Sequence, residues 1–307
     1  MTRSLSKIKS SSFLYLLLGT VFILSVASIV YSSEVRPSSF SKIINSKFGS
    51  LLGHPVSKSV PSISPNLSPT PKATPKPLSF AEMNVLYGPC TYLPTFLYHH
   101  IQGRGLAVEK KQTALTVYTD VFRQQMQYLK DKGYNIVSMQ DLINFFDAGI
   151  PIPSKSILLT FDDGYQDFYT DAYPILSGLG FKSTLFSATG LVGNPDYLVW
   201  DEMSSMNGLT LFANHTWSHK SLPSVDGEIQ QREISTADTQ LIEHGLNLPK
   251  VFAYPYGGYT PFAESYIKSL GYQLAFGTVP GSVLCKKQRF DLPRIRIGDV
   301  NLSYYGF

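Results

Sequence analysis

The chain is short of several things that would otherwise point to a function. It has two cysteines, Cys90 and Cys285, so paired zinc knuckles are excluded. Net charge is only +4 over 307 residues, with Lys and Arg scattered rather than gathered in a block. With no aromatic RNP stretch either, nothing in the chain is suited to following a nucleic-acid backbone. No internal repeat marks a solenoid, and histidine is scarce, with none after His244. What remains is near-average hydrophobic content, enough for one sizeable globular domain and some additional segments.

The additional segments lie at the N-terminus. A basic flank over residues 1–12, with Arg3, Lys7 and Lys9, precedes an uncharged apolar run over 13–31. Roughly 19 residues at about 1.5 Å each span about 28 Å, close to the hydrocarbon thickness of a bilayer. Two readings stand, a transmembrane anchor and a cleaved signal segment. Val26-Ala27-Ser28 is a poor cleavage site set inside the run, which favours the anchor. In both readings the basic flank stays in the cytoplasm and the remainder is exported, as a single-pass membrane protein or, after cleavage, a secreted one. Residues 32–79 are rich in Ser, Pro and Lys, as in Pro69-Thr70-Pro71-Lys72-Ala73-Thr74-Pro75-Lys76-Pro77, and read as a disordered linker. The globular domain is expected over 80–307.

Within that domain the organising stretch is Ile157-Leu158-Leu159-Thr160-Phe161-Asp162-Asp163-Gly164-Tyr165. A short apolar run bounded by Pro153 and Gly164 reads as a strand buried on both faces, with two carboxylates at its C-terminal tip. Adjacent acids repel, so two of them there are costly unless a cation or a proton transfer uses them. Further strands are expected over 95–98, 134–137, 183–188, 209–213, 251–254, 273–276 and 292–297. Helices are expected between them, one opened by Ser138 and Asp141 in a pattern close to a capping box and ended near Gly149, and others stopped at Gly133, Gly180 and Gly271. Strand–helix alternation with about seven or eight strands over roughly 225 residues predicts an α/β fold with a parallel sheet, closed as a barrel.

Polar clusters follow four of these strands: His99-His100, Asp162-Asp163, Asn214-His215-Thr216-Trp217-Ser218-His219, and Tyr254-Pro255-Tyr256-Gly257-Gly258. In a barrel, all four meet on the one face where active sites are assembled. His215 and His219 are four apart, which lets both imidazoles reach one metal. A zincin would place Glu directly after the first histidine, and Thr216 stands there instead. A carboxylate of the Asp pair is then the third ligand. Two histidines and a carboxylate suit Zn²⁺ with an open position for water, which leaves the other Asp to take a proton.

Three motifs in this order, Thr160-Phe161-Asp162-Asp163-Gly164, His215-Thr216-Trp217-Ser218-His219 and Tyr254-Pro255-Tyr256-Gly257, resemble the successive motifs of the NodB-type polysaccharide deacetylases, carbohydrate esterase family 4. The resemblance covers about residues 95–297. It implies a distorted (β/α) barrel of about seven strands and metal-dependent removal of acetyl groups from a polysaccharide. By position it makes Asp162 the general base, Asp163, His215 and His219 the metal ligands, and the backbone N–H of Tyr256 part of an oxyanion hole. Two features depart from the pattern. Ala253 stands where many members carry Arg, and the family's C-terminal Leu-x-His motif is absent.

Tyr98-His99-His100-Ile101 instead resembles the Tyr-His motif of a circularly permuted branch that includes exported poly-N-acetylglucosamine deacetylases. This makes His99 the expected general acid and His100 structural, with exchange of the two left open. Asp291-Leu292-Pro293-Arg294-Ile295 resembles a later motif in which an Arg orients the base, with Arg294 as candidate and Arg296 as fallback. Permutation brings the first and last strands together, so Cys90 and Cys285 could pair. Tyr165, Tyr197, Trp200, Trp217 and Tyr256 lie near the loops as candidates for stacking on sugar rings, with a core role equally open. The implied substrate is an acetylated glycan, either poly-N-acetylglucosamine-like or peptidoglycan. Two alternatives stand beside it: an O-acetyl esterase on xylan-like glycans, and an inactive glycan-binding module.

Overall fold

A computed structural model describes residues 77–307. The basic flank, the apolar segment over 13–31 and the linker as far as residue 76 lie outside the described residues. Among those described, no helix is long and apolar enough to cross a membrane.

The domain opens with helix α1, Phe80–Tyr87, capped by Ser79 and Glu82 in a reciprocal box. Strands β1 (Cys90–Tyr92), β2 (Thr95–Tyr98), β3 (His100–Gln102) and β4 (Thr116–Tyr118) follow, with helix α2, Arg104–Glu109, between the last two. Then come α3 (Thr119–Asp131), β5 (Asn135–Ile136), α4 (Met139–Ala148) and β6 (Ser156–Asp163). The second half alternates regularly: α5 (Tyr173–Leu179), β7 (Ser183–Ser187), α6 (Trp200–Met206), β8 (Thr210–Asn214), α7 (Gly227–Glu243), β9 (Val251–Ala253), α8 (Pro261–Ser269) and β10 (Leu274–Phe276). Two short strands, β11 (Val283–Cys285) and β12 (Ile295–Arg296), complete the chain. Ser138 and Asp141 form the expected capping box on α4, which Gly149 ends at φ 69°.

The main sheet runs β10-β9-β8-β7-β6-β2-β12, with β5 added on β6, and its pairings are parallel. This is a curled sheet of seven strands, in the α/β class the alternation predicts. The expected last strand, 292–297, is mostly irregular. Its residues hydrogen-bond to β10 through Leu292 N–H to Ala275 O (2.9 Å), and to β2 through Ile297 N–H to Leu97 O (3.0 Å). Pro293 lacks an N–H, which helps keep regular pairing down to two residues. The last strand therefore lies beside the first long one, as the permuted arrangement implies. Cys90 and Cys285 are disulfide-bonded, joining β1 to β11 outside the main sheet.

Every residue of β6 is buried, and alternation sorts them into two layers. Ile157, Leu159 and Phe161 pack outward against Phe122, Met126, Ile175 and Leu176 of the covering helices. Leu158 points into the hollow of the curled sheet with Phe186, Ala253, Phe276 and Leu292, above Leu142 and Phe146 of α4. Thr160 and Asp162 continue the Leu158 side. This puts a carboxylate at the mouth of an apolar interior, where it needs a partner.

Candidate active site

That partner is Arg294. Its guanidinium is buried and grips Asp162 with both ends, Nη1 donating to Oδ1 at 2.7 Å and Nη2 to Oδ2 at 2.8 Å. Nε donates to Gly277 O at 2.9 Å, which fixes the plane of the fork. Burial alone would raise the Asp162 carboxyl, but the Arg294 charge, helped by His215 and His99, holds it below its ordinary value. Arg296 is turned outward to Ala114 O, so the fallback candidate makes no hydrogen bond with Asp162.

Alternation would send Asp163 to the outer layer. Its backbone φ of 77° breaks the pattern, and the side chain joins Asp162 on the same mouth. Asp163 Oδ1 lies 3.1 Å from His219 Nε2 and 3.5 Å from His215 Nε2, and His215 Nε2 is also 3.9 Å from Asp162 Oδ2. One ligand atom from each of Asp163, His215 and His219 falls within 4.8 Å of the others. Burial would raise the Asp163 carboxyl, yet the two imidazoles beside it, His215 and His219, hold it well below the usual carboxylate range. His215 shows the reciprocal effect: burial would lower its ring, and Asp162 and Asp163 raise it above the ordinary value. A proton on that ring occupies the place a cation would compete for.

The donors fit a divalent cation. His215 Nδ1 lies 2.7 Å from Ala253 O, and N–H donation there leaves Nε2 as the free lone pair, the usual arrangement of a metal-binding histidine. Asp163 Oδ1 is buried and has no hydrogen-bond donor. Two imidazole nitrogens and a donor-free carboxylate oxygen converging on one point make a three-ligand set.

The two histidines after β2 have different surroundings. His100 is buried, with Nδ1 2.5 Å from Asp167 Oδ2 and its ring stacked on Tyr165 at 3.6 Å, so it braces the loop after β6. His99 is half-buried and within reach of the Asp162 and Asp163 charges. Burial lowers its ring below the ordinary value, against the pull of both carboxylates. Tyr256 is 70% exposed, and its ring centroid is 4.8 Å from that of His219. Its φ of 60° is followed by Gly257 at 77°, where a Cβ would sit 2.1 Å from Thr278 Oγ1. Glycine is therefore required at that turn. Tyr165 and Tyr197 pack against each other with tilted rings, centroids 5.2 Å apart, whereas Trp200 stacks on His244 at 4.1 Å and is engaged there.

A known fold surrounds this geometry. The profile of the polysaccharide deacetylase family matches residues 150–275. The solved structure of the Streptococcus pyogenes deacetylase PplD, determined with acetate, aligns with TM-score 0.63 at 30% identity, over 68% of this chain and 93% of that one. The chain belongs to the polysaccharide deacetylase family. The Bacillus subtilis (strain 168) protein YxkH, assigned by its name to the polysaccharide deacetylases, is 29% identical over 208 residues, 67% of this chain and 71% of its own. The poly-beta-1,6-N-acetyl-D-glucosamine N-deacetylase of Escherichia coli (strain K12) is 27% identical over 232 residues. That match takes in 61% of this chain and 34% of the relative, so the chain spans about a third of that enzyme. As a polysaccharide deacetylase the protein is a hydrolase.

Sequence reasoning gave no role to Asn214 and passed over Glu233, the two residues that hold the deacetylase's histidine loop. Asn214 Oδ1 accepts Thr216 N–H at 2.8 Å, while its Nδ2 donates to Ile234 O and Tyr272 Oη. Glu233 of α7 is fully buried against Ser218. A signal was present, because Glu233 lies at helical spacing with Gln230, Ala237 and Leu241 on the buried face, where an unpaired acid would be costly.

Proposed function

We propose that the protein is a metal-dependent N-deacetylase of an extracellular or cell-wall polysaccharide containing N-acetylglucosamine, of the poly-β-1,6-linked kind or peptidoglycan. The observation that carries this reading is the donor-free Asp163 Oδ1 facing two imidazole Nε2 atoms, beside a second carboxylate clamped by Arg294. A divalent cation held by Asp163, His215 and His219, with Zn²⁺ the expected ion, would supply a Lewis acid that lowers the pKa of water and polarises the acetyl carbonyl. Asp162, kept ionised by Arg294, takes a proton from the attacking water. His99 gives one to the nitrogen of the breaking C–N bond, so acetate and a free amine leave. The backbone N–H of Tyr256 faces the oxygen that becomes negative in the tetrahedral intermediate.

Preference for an N-acetyl substrate is supported by the name of the E. coli relative, which spans the matching domain within a longer chain. We place the domain outside the cell, held by the apolar segment over 13–31 or released by its cleavage, because the basic flank and the Pro-rich linker suit a tether. The test is acetate release by metal-stripped protein from N-acetylglucosamine oligomers and from O-acetylated xylan, with and without Zn²⁺. Zn²⁺-dependent release from the oligomers, abolished in Asp162→Asn and His99→Ala, is the expected result. Release from xylan alone moves the protein to the O-acetyl esterases. Metal binding without any release makes it a binding module, and full activity in His99→Ala removes that residue as the acid.

A further inference from the structure

The histidine loop raises a question that its ligands do not answer. His215 and His219 sit on irregular backbone, and Thr216 and His219 both adopt left-handed φ, 67° and 58°. A segment with two such residues holds its shape only if its surroundings impose it. His215 is held from both sides, its N–H donating to Ser187 O at 3.0 Å and its ring engaging Ala253 O. His219 is not: among the described residues no hydrogen bond reaches its Nδ1, and apart from packing on the His215 and Tyr256 rings its place is set by the backbone just before it.

That backbone is fastened to one side chain. Ser218 N–H donates to Glu233 Oε2 at 2.7 Å and Ser218 Oγ donates to Glu233 Oε1 at 2.6 Å, so the carboxyl takes two bonds from one residue. Lys220 Nζ lies 3.6 Å from Oε1, and Glu233 O accepts Trp217 N–H at 2.9 Å. Residues 217, 218 and 220 are thus all held at a single position of α7, whose side chain is fully buried. On the opposite side, Gly190 N–H donates to Trp217 O at 2.7 Å, and a Cβ at Gly190 would come within 2.8 Å of that oxygen. The loop is clamped between these two contacts.

Resting on the reading of Asp163, His215 and His219 as a metal site, we propose that Glu233 is a positioning residue that sets His219 for cation binding through the Ser218 backbone. It does so without touching the ion or the substrate. Partners of this kind behind metal ligands typically change affinity by about 10–100-fold.

The experiment uses the full chain, metal-stripped, titrated with Co²⁺ and followed by its visible d–d absorption, with Zn²⁺ in competition. Thermal melting of the metal-free proteins runs alongside. Glu233→Ala is expected to weaken Co²⁺ and Zn²⁺ by about 10-fold or more and to alter the Co²⁺ spectrum. Glu233→Gln keeps one acceptor for Ser218 N–H and is expected to recover most of the affinity; it also carries the test if the alanine variant does not fold. Leu241→Ala, a fully buried position on the same helix, is expected to lower the melting temperature and leave affinity and spectrum unchanged. Affinity within about twofold of wild type and an unchanged spectrum in both Glu233 variants, or an equal loss in Leu241→Ala, would overturn the proposal. Wild-type protein that binds neither ion would instead overturn the metal-site reading, so the two failures are distinct.

Discussion

Arg294→Met isolates what keeps the Asp162 carboxylate ionised. The substitution keeps apolar volume but removes both bonds to Asp162 and the bond to Gly277 O, leaving a buried carboxylate without its cation. Removing one partner of a buried ion pair costs about 3–5 kcal/mol. At about 2–4 °C per kcal/mol for a domain of this size, the melting temperature should fall by about 6–20 °C. The pH dependence has a definite sign. In the wild type the Asp162 carboxyl is held below its ordinary value. Its contribution to stability is therefore present above the unfolded value near ~3.9 and lost as pH falls through the lower folded value.

Without Arg294 the effect of burial is no longer outweighed, so the folded value rises, and the penalty is largest at neutral pH and relieved as pH drops. Wild-type and Arg294→Met melting temperatures should therefore converge between pH 7 and about 4, measured by circular dichroism on metal-free protein. Adding Asp162→Asn to Arg294→Met removes the stranded charge. The double variant should be more stable than the sum of the single effects by about 1–3 kcal/mol. Additivity within about 0.5 kcal/mol, or a gap that widens as pH falls, would refute the reasoning.

Two other perturbations test the mouth of the sheet. An NMR titration of the His99 ring in metal-free protein should give a midpoint below the ordinary imidazole value of about 6.5, because burial outweighs the Asp162 and Asp163 charges. Its protonation thus opposes folding: the contribution is complete above about 6.5 and declines as pH falls through the lowered value. Asp162→Asn removes one raising charge and should move the midpoint lower still, so an upward move would contradict the picture. Gly257→Ala forces a Cβ to 2.1 Å from Thr278 Oγ1 at a φ of 77°. It should cost about 1–3 kcal/mol and lower kcat by displacing Tyr256. Gly178→Ala, in α5 with open space around it, is the control and should be neutral or stabilising by about 0.5–1 kcal/mol in urea denaturation.

What the sequence by itself determined was local. Strand–helix alternation, the Ser138 cap, the glycine stops and the placing of polar residues after apolar runs depend on neighbours within a few positions, and these are read from periodicity and turn chemistry. His99, Asp162, Asp163, His215, His219 and Tyr256 were therefore legible as one family of strand ends, and motif resemblance added Arg294 and gave His99 its expected role as acid. Only the tertiary structure decided which side chains touch. Arg294 is 132 positions from Asp162; motif resemblance ranked it before Arg296, and the contact itself, like the outward turn of Arg296, depends on how the last segment meets β2.

The left-handed turn at Asp163 reversed the side chain that simple alternation assigns to the outer layer. Glu233 looked like an ordinary polar residue on a long helix until packing buried it against Ser218. In each case the deciding energy is the cost of burying a charge or a bent backbone, and that cost exists only once distant segments have closed around it.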